Sequence, residues 1–236
     1  MKYEINHLWE TGSRPRNEDS IGIMQLEINR TPVIFAAVAD GIGGLSKGED
    51  ASGILINSLR CAFEEATNSQ ATCNLQFIKR RFNRELYSVH RSLSAYGKES
   101  NIRLGTTCSL ICIIGSKGFI LHIGDSRIYI SEKRTNNLNQ ITHDDINSSK
   151  QLLKCIGHGS FNSPAYIPFK LNPDSVILLA SDGFYKRLNN EIISIPSFLK
   201  ADSGSDCLRY LNSLSRHRGE GDNSSAILIY GGKSHE

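Results

Sequence analysis

The chain has 236 residues, 39% hydrophobic and 22% charged, with a formal net charge of +3. This excludes a disordered or fibrous chain, gives no argument for nucleic acid, and leaves apolar runs such as Val176–Ala180 far short of the roughly 20 residues of a membrane span. A single domain, residues 1–236, is the expectation. The first ten residues contain one lysine and no apolar block, so they do not read as a signal peptide, and a cytoplasmic location is expected. Six cysteines without a C-x-x-C pair suggest neither a zinc site nor a disulfide scaffold; mostly buried, reduced thiols are expected.

In chain order, "DSIGIMQLEI" and "PVIFAAVA" read as strands, the second reaching Asp40 and the glycines 41, 43 and 44. Ala51, Leu55, Leu59, Ala62, Phe63 and Ala66 then fall at helical spacing, predicting a helix from near Ser46. Leu75, Ile78, Phe82, Leu86, Val89, Leu93 and Tyr96 predict a second long helix. Its other face carries Lys79, Arg80, Arg81, Arg84 and Arg91, a stripe that reads as a solvated face ahead of a site for an acidic partner. Strands follow in "TTCSLICII", "GFILHIG", "RIYI" and "DSVILLA", then a helix near Asp206–His217 and a last strand in "SSAILIY". Two adjacent helices among so many strands do not fit the βαβα alternation of a doubly wound sheet; they fit an α+β architecture with helices covering a largely antiparallel sheet.

The acidic residues share a property: they sit at strand ends. Glu18 and Asp19 precede a strand, Asp40 and Asp182 follow one, Asp222 precedes the last, and Asp125 occupies a turn between two. A lone Asp-Gly is an ordinary turn, but carboxylates converging at strand ends repel one another unless a cation lies between them. Oxygen donors of this kind suit magnesium or manganese, and no Cys/His set supports zinc. Gly41, lacking Cβ, would let the chain turn tightly and bring its own carbonyl to such an ion. Two ions sharing Asp40 could neutralise a phosphoryl group and supply a nucleophile at neutral pH. A guanidinium should then face the phosphate oxygens. Arg14 is the candidate, ahead of Arg16 and Arg127, for which a salt-bridge role is expected.

"GSRPRNED", "VADGIGG", "GTTCSL", "HIGDSRIYI", "LLASDGF" and "GDNSSAILI" stand in the order and approximate spacing of motifs in the metal-dependent serine/threonine protein phosphatases of type 2C, which the chain resembles over nearly its whole length. The resemblance implies a four-layer αββα sandwich, two packed antiparallel sheets flanked by helices. It implies phosphate binding by Arg14, two Mn2+ or Mg2+ ions held by Asp40, the Gly41 carbonyl, Asp182 and Asp222, and contacts through water from Glu18 and Asp19. Asp125 resembles a ligand of a third ion. In the implied reaction a hydroxide shared by the two ions attacks the phosphorus of phosphoserine or phosphothreonine directly. The implied partners are phosphorylated proteins, among them a cognate serine/threonine kinase or its targets; the chain's own charge and apolar runs lead to the expectation of no nucleic acid and no membrane partner, and a monomer is expected.

Three departures from the family pattern stand out. Lys186 replaces an aspartate often found four residues after Asp182, so the third ion lacks a usual ligand. Ile42 stands where some members carry a histidine that could act as general acid, leaving a water or a histidine such as His143 for that role. The segment "ITHDDINSSKQLLKCIGHGS" is short of most of the flap that many bacterial members place beside the cleft. The alternative to a hydrolase is a catalytically impaired phosphoprotein-binding regulator of the same fold, expected to have lost Asp40, Asp182 or Asp222; none is lost. Reading "DGIGG" as a nucleotide-binding motif leaves the other aspartates unexplained.

Overall fold

A computed structural model of the chain describes residues 2–43, 47–68, 73–131, 137–188 and 190–231. The first half contains β1 (Tyr3–Glu10), β2 (Asp19–Ile28), β3 (Thr31–Gly43), α1 (Gly48–Asn68), α2 (Leu75–Ser100), β4 (Leu104–Thr106), β5 (Cys108–Ile114) and β6 (Lys117–Ile123). The second contains β7 (Arg127–Ser131), β8 (Leu138–Gln140), β9 (Ala165–Lys170), β10 (Val176–Ala180), α3 (Asp182–Tyr185), α4 (Asn190–Ile193), α5 (Ile195–Phe198), α6 (Gly204–His217) and β11 (Ser224–Gly231). Ser46 and Gly44, and the chain after Gly231, lie outside the described residues.

All strand pairs are antiparallel and form two sheets, β1-β11-β10-β7-β8 and β2-β3-β5-β6-β9, with β4 paired to the far end of β3. Period-two alternation splits each central strand between two cores. In β3, Val33, Phe35, Ala37 and Ala39 face α1 and α2, where Phe35, Phe63 and Phe82 pack together. Ile34, Ala36 and Val38 face the other sheet, meeting Ile177, Leu179, Ile227 and Ile229. The outer face of the five-stranded sheet is covered by α3–α6 through Phe184, Ile195, Leu208 and Leu211. The result is the expected αββα sandwich with three apolar interfaces.

The structure corrects several local expectations. β3 does not end on Asp40: it runs on to Gly43, with Gly41, Ile42 and Gly43 paired to Thr106, Gly105 and Leu104. Gly41 serves close approach instead of a turn, because a methyl group there would lie 2.2 Å from the Gly48 carbonyl oxygen and 2.6 Å from that of Glu18. β1 and β9 are unanticipated strands; both are sheet edges with half-exposed faces, where apolar alternation is weak, and Pro168 is tolerated at such an edge. Of the six cysteines, all free, Cys61 is exposed, Cys73 and Cys155 are half-buried, and only Cys108, Cys112 and Cys207 are buried.

Candidate active site

The β2–β3 register sets Asp19 directly opposite Asp40, a like-charge cross-strand pair that is destabilising by itself. Asp182, at the start of α3, and Asp222, just before β11, come from the other sheet, and Asp125 from the β6–β7 turn. Gly183 permits this: a Cβ on it would fall 2.0 Å from the Asn223 carbonyl oxygen, so only glycine lets the start of α3 sit against the start of β11. Asp40 carries the combined effect. Burial first, and then Asp19, Asp182, Asp125 and Asp222, push its carboxyl well above the ordinary carboxylate range. Asp19, 2% exposed, is pushed up to about 6 by burial with Asp182 and Asp222 adding, despite a 2.7 Å hydrogen bond from Ser181 Oγ. Asp125 also rises to about 6, through burial and then Asp182. Burial raises Glu18.

Two cations stand at the mouth. Arg14, with a side chain 58% exposed, donates to Asp222 Oδ2 at 2.9 Å, and Lys186 Nζ lies 2.5 Å from Asp182 Oδ2. Arg16 instead pairs with Glu49 at 2.7 Å, and Arg127 forks onto both oxygens of Asp144 while lying over the Tyr185 ring, so neither points a free guanidinium at the carboxylates. His143 has an exposed side chain, and its carbonyl accepts from His122 Nε2 at 3.0 Å. Ile42 is 39% exposed at the rim.

Three holding residues were not singled out from the sequence. Asn223 Oδ1 accepts from Glu18 N at 2.9 Å, while its Nδ2 donates to the carbonyls of Thr11 and Arg16, each at 2.8 Å. It thereby ties the Arg14 loop to the last strand. Thr107 Oγ1 accepts from Asp40 N at 2.9 Å, and Thr106 Oγ1 donates to the Asp40 carbonyl at 3.1 Å. The motifs containing them were visible; that their side chains clamp backbone far away in sequence was not.

The donor set is entirely oxygen: clustered carboxylates plus the Gly41 carbonyl, which lies 2.9 Å from where a Cβ on Gly48 would stand. Carboxylates held at a cost in burial and repulsion, beside a cradle no side chain can enter, suit a hard divalent cation. Among the described residues no three His, Cys, Asp or Glu side chains close into an ion cage, and Asp182 and Asp222 are engaged by Lys186 and Arg14. Exchange of those ion pairs for a divalent ion is chemically compatible with the residues present.

Residues 12–211 match the family model for protein phosphatase 2C. The chain belongs to the protein phosphatase 2C family. A serine/threonine phosphatase stp from Listeria welshimeri is 33% identical over 134 residues, 56% of this chain and 50% of that protein. The chain thus matches about half the length of this curated relative. Among solved structures, the serine/threonine phosphatase Stp1 from Staphylococcus aureus has a TM-score of 0.83 at 24% identity, covering 99% of this chain and 96% of that one. The catalytic domain of the phosphatase PstP, in complex with two manganese ions, has a TM-score of 0.76 at 23% identity, covering 97% of each. These two likenesses establish the protein phosphatase 2C fold.

Proposed function

We propose that residues 1–236 form one catalytic domain that hydrolyses phosphoserine and phosphothreonine in proteins. The observation that supports this best is the convergence of Asp19, Asp40, Asp125, Asp182 and Asp222 on one end of the sandwich, with Arg14 exposed beside them. Two Mn2+ or Mg2+ ions would be held by Asp40, the Gly41 carbonyl, Asp182 and Asp222, with Glu18 and Asp19 behind them and Asp125 beside a third position that Lys186 weakens. Such ions supply charge neutralisation and a nucleophile at neutral pH.

The chain's own residues do the rest. Arg14, released from Asp222, presents its planar fork to the phosphate oxygens and orients the monoester for in-line attack. Thr106 and Thr107 fix the Asp40 backbone. Ser181 and the indole of Trp9, which donates to the Asp19 carbonyl at 2.8 Å, fix Asp19. Ile42 at the rim offers no proton, so the leaving alkoxide draws its proton from solvent or another group at the open mouth. No described helix is long and apolar enough to cross a membrane. We place the protein in the cytoplasm as a monomer acting on phosphoproteins, including a cognate kinase or that kinase's targets, and the short segment 141–160 leaves the cleft open to them. The test is manganese-dependent phosphate release from a phosphothreonine peptide, abolished by chelator. Phosphopeptide binding without turnover would favour the impaired regulator.

A further inference from the structure

The basic stripe of α2 is left with no task by the fold or by the carboxylate site. Along the outward side of this helix Arg84, Arg91 and Lys98 recur at intervals of seven residues, with Arg80 one turn earlier. Seven residues are close to two turns, so the four cations fall on one line about 27 Å long. All four are exposed, and among the described residues none has an ion-pair partner; Arg91 only lies over the Tyr87 ring. The neighbouring cations differ, since Arg81 pairs with Glu65 and Lys79 sits over Tyr166. The carboxylates of α2 are Glu85, off the line, and Glu99 at its end.

The line ends at a cavity of about 430 Å³ between the last turns of α2 and the segment 157–160, lined among others by Ser94, Lys98, His158 and Ser160. That segment is anchored to the helix: Ser94 Oγ donates to the Gly157 carbonyl at 3.0 Å, Gly157 N donates to His90 Nδ1 at 3.1 Å, and Phe161 packs edge-on against Tyr87. The cavity also adjoins β4. Gly97 abuts Leu104, and Leu104 pairs with Gly43, three residues beyond Asp40. Strand spacing and rise put Lys98 roughly 15–20 Å from Asp40, which an extended peptide spans in about five or six residues.

We infer that the outward face of α2, from Arg80 to Lys98, together with the cavity at its end, docks an acidic segment of the protein substrate at least five residues from the phosphorylated one. This rests on the phosphatase reading. A row of unpaired cations beside an open cavity is complementary to a run of Asp, Glu or further phosphorylated residues, and long-range attraction of that kind sets encounter and selection more than tight binding. An anionic bilayer is the weaker fit. Membrane-surface helices flank their cations with free apolar residues, whereas Ile78, Phe82, Leu86, Val89 and Leu93 of α2 are buried in the core, and the exposed Tyr87 on the cation line is already engaged by Phe161 and Arg91.

The experiment compares three substrates: p-nitrophenyl phosphate, a phosphothreonine peptide with neutral flanks, and the same peptide bearing four glutamates six to twelve residues away. Wild type should show a lower KM for the acidic peptide at equal kcat. The variant R84E/R91E/K98E should raise that KM about tenfold, as expected of three exposed ion pairs, and added salt should do the same. Both should leave the other two substrates unchanged. Equal KM values for the two peptides, or an equal loss with the neutral one, overturns the inference. Fluorescence anisotropy of the unphosphorylated acidic peptide reads docking without turnover: binding lost in the triple variant supports the surface even if no substrate is hydrolysed, and no binding to wild type overturns it. Capture of wild type but not the variant on phosphatidylserine vesicles, without peptide discrimination, assigns the face to a membrane instead.

Discussion

Asp40 stands between two polar clusters. On one side are Asp19, Asp125, Asp182 and Asp222, whose charges and burial oppose its ionisation. On the other are Thr106, Thr107, Ser109, Ser126 and His122, all buried. There Thr107 Oγ1 meets Ser126 Oγ at 2.8 Å, Ser109 Oγ donates to the Ser126 carbonyl at 2.6 Å, and His122 bridges Ser109 and the His143 carbonyl. The neutral cluster is satisfied by its own members together with the His143 carbonyl and the Asp40 backbone, and it rigidifies what it touches. The acidic cluster is held in place against its own repulsion. A fold tolerates such a concentration of carboxylates because neighbouring strands and hydroxyls fix their backbones.

The two clusters should respond to substitution in opposite ways. The largest expected effect is from Asp40→Asn, which should lower turnover on the order of 10³-fold with manganese, a loss of several kcal/mol of charge stabilisation. Its melting temperature in chelator should be no lower than wild type, and a clear drop there would show that the carboxylate stabilises the metal-free fold more than its repulsion strains it. Next comes pH. Asp125 has a folded pKa of about 6, above the ordinary unfolded value near 3.9, so the folded state holds its proton to higher pH. This group is neutral to stability below about pH 4, destabilises increasingly as pH rises from about 4 to 6, and keeps that full penalty above. In chelator, the stability of wild type minus Asp125→Asn should therefore become more negative by about 1–3 kcal/mol between pH 4 and 7, read from urea unfolding. A flat difference would show that Asp125 is not strained.

The neutral cluster should answer the other way. Thr107→Val keeps shape but strands the Asp40 N–H and removes a partner of Ser126, costing about 1–2 kcal/mol in urea unfolding with or without metal. If it unfolds like wild type, the network does not hold Asp40. The smallest effect is expected from Lys186→Asp. Replacing a competing cation by a carboxylate should lower the manganese concentration for half-maximal activity a few-fold, as opposite charges beside a ligand carboxylate compete for it. A higher requirement would show that Lys186 assists the site.

Much of this was legible in the chain. Period-two runs and the 3.6-residue spacing of α1 and α2 report large apolar contacts, which is why the central strands and both long helices follow the apolar pattern. The aspartates were legible because most lie at or beside a strand end, and strand ends share one edge of a sandwich; Asp40, three residues inside the end of β3, stands opposite the first residue of β2. What escaped the pattern has a common cause. The extension of β3 to Gly43 and the four-residue helices α3–α5 are too short to show a period, and the edge strand β9 is too exposed to do so. Asn223 and Thr107 are polar residues whose partners lie 205 and 67 positions away. Residue type alone, asparagine beside a turn or threonine before a strand, indicates local bonding and gives no hint of a distant backbone partner.

The Asn223 tie has a consequence for how the protein comes into being. Arg14 and Asp222 are 208 positions apart, and the loop bearing Arg14 is fastened by a residue next to β11. A chain emerging from the ribosome can form β2, β3 and both long helices while its arginine loop still has nothing to fasten to. If the proposed hydrolysis is right, competence should therefore switch on abruptly, once β11 has slipped between β1 and β10.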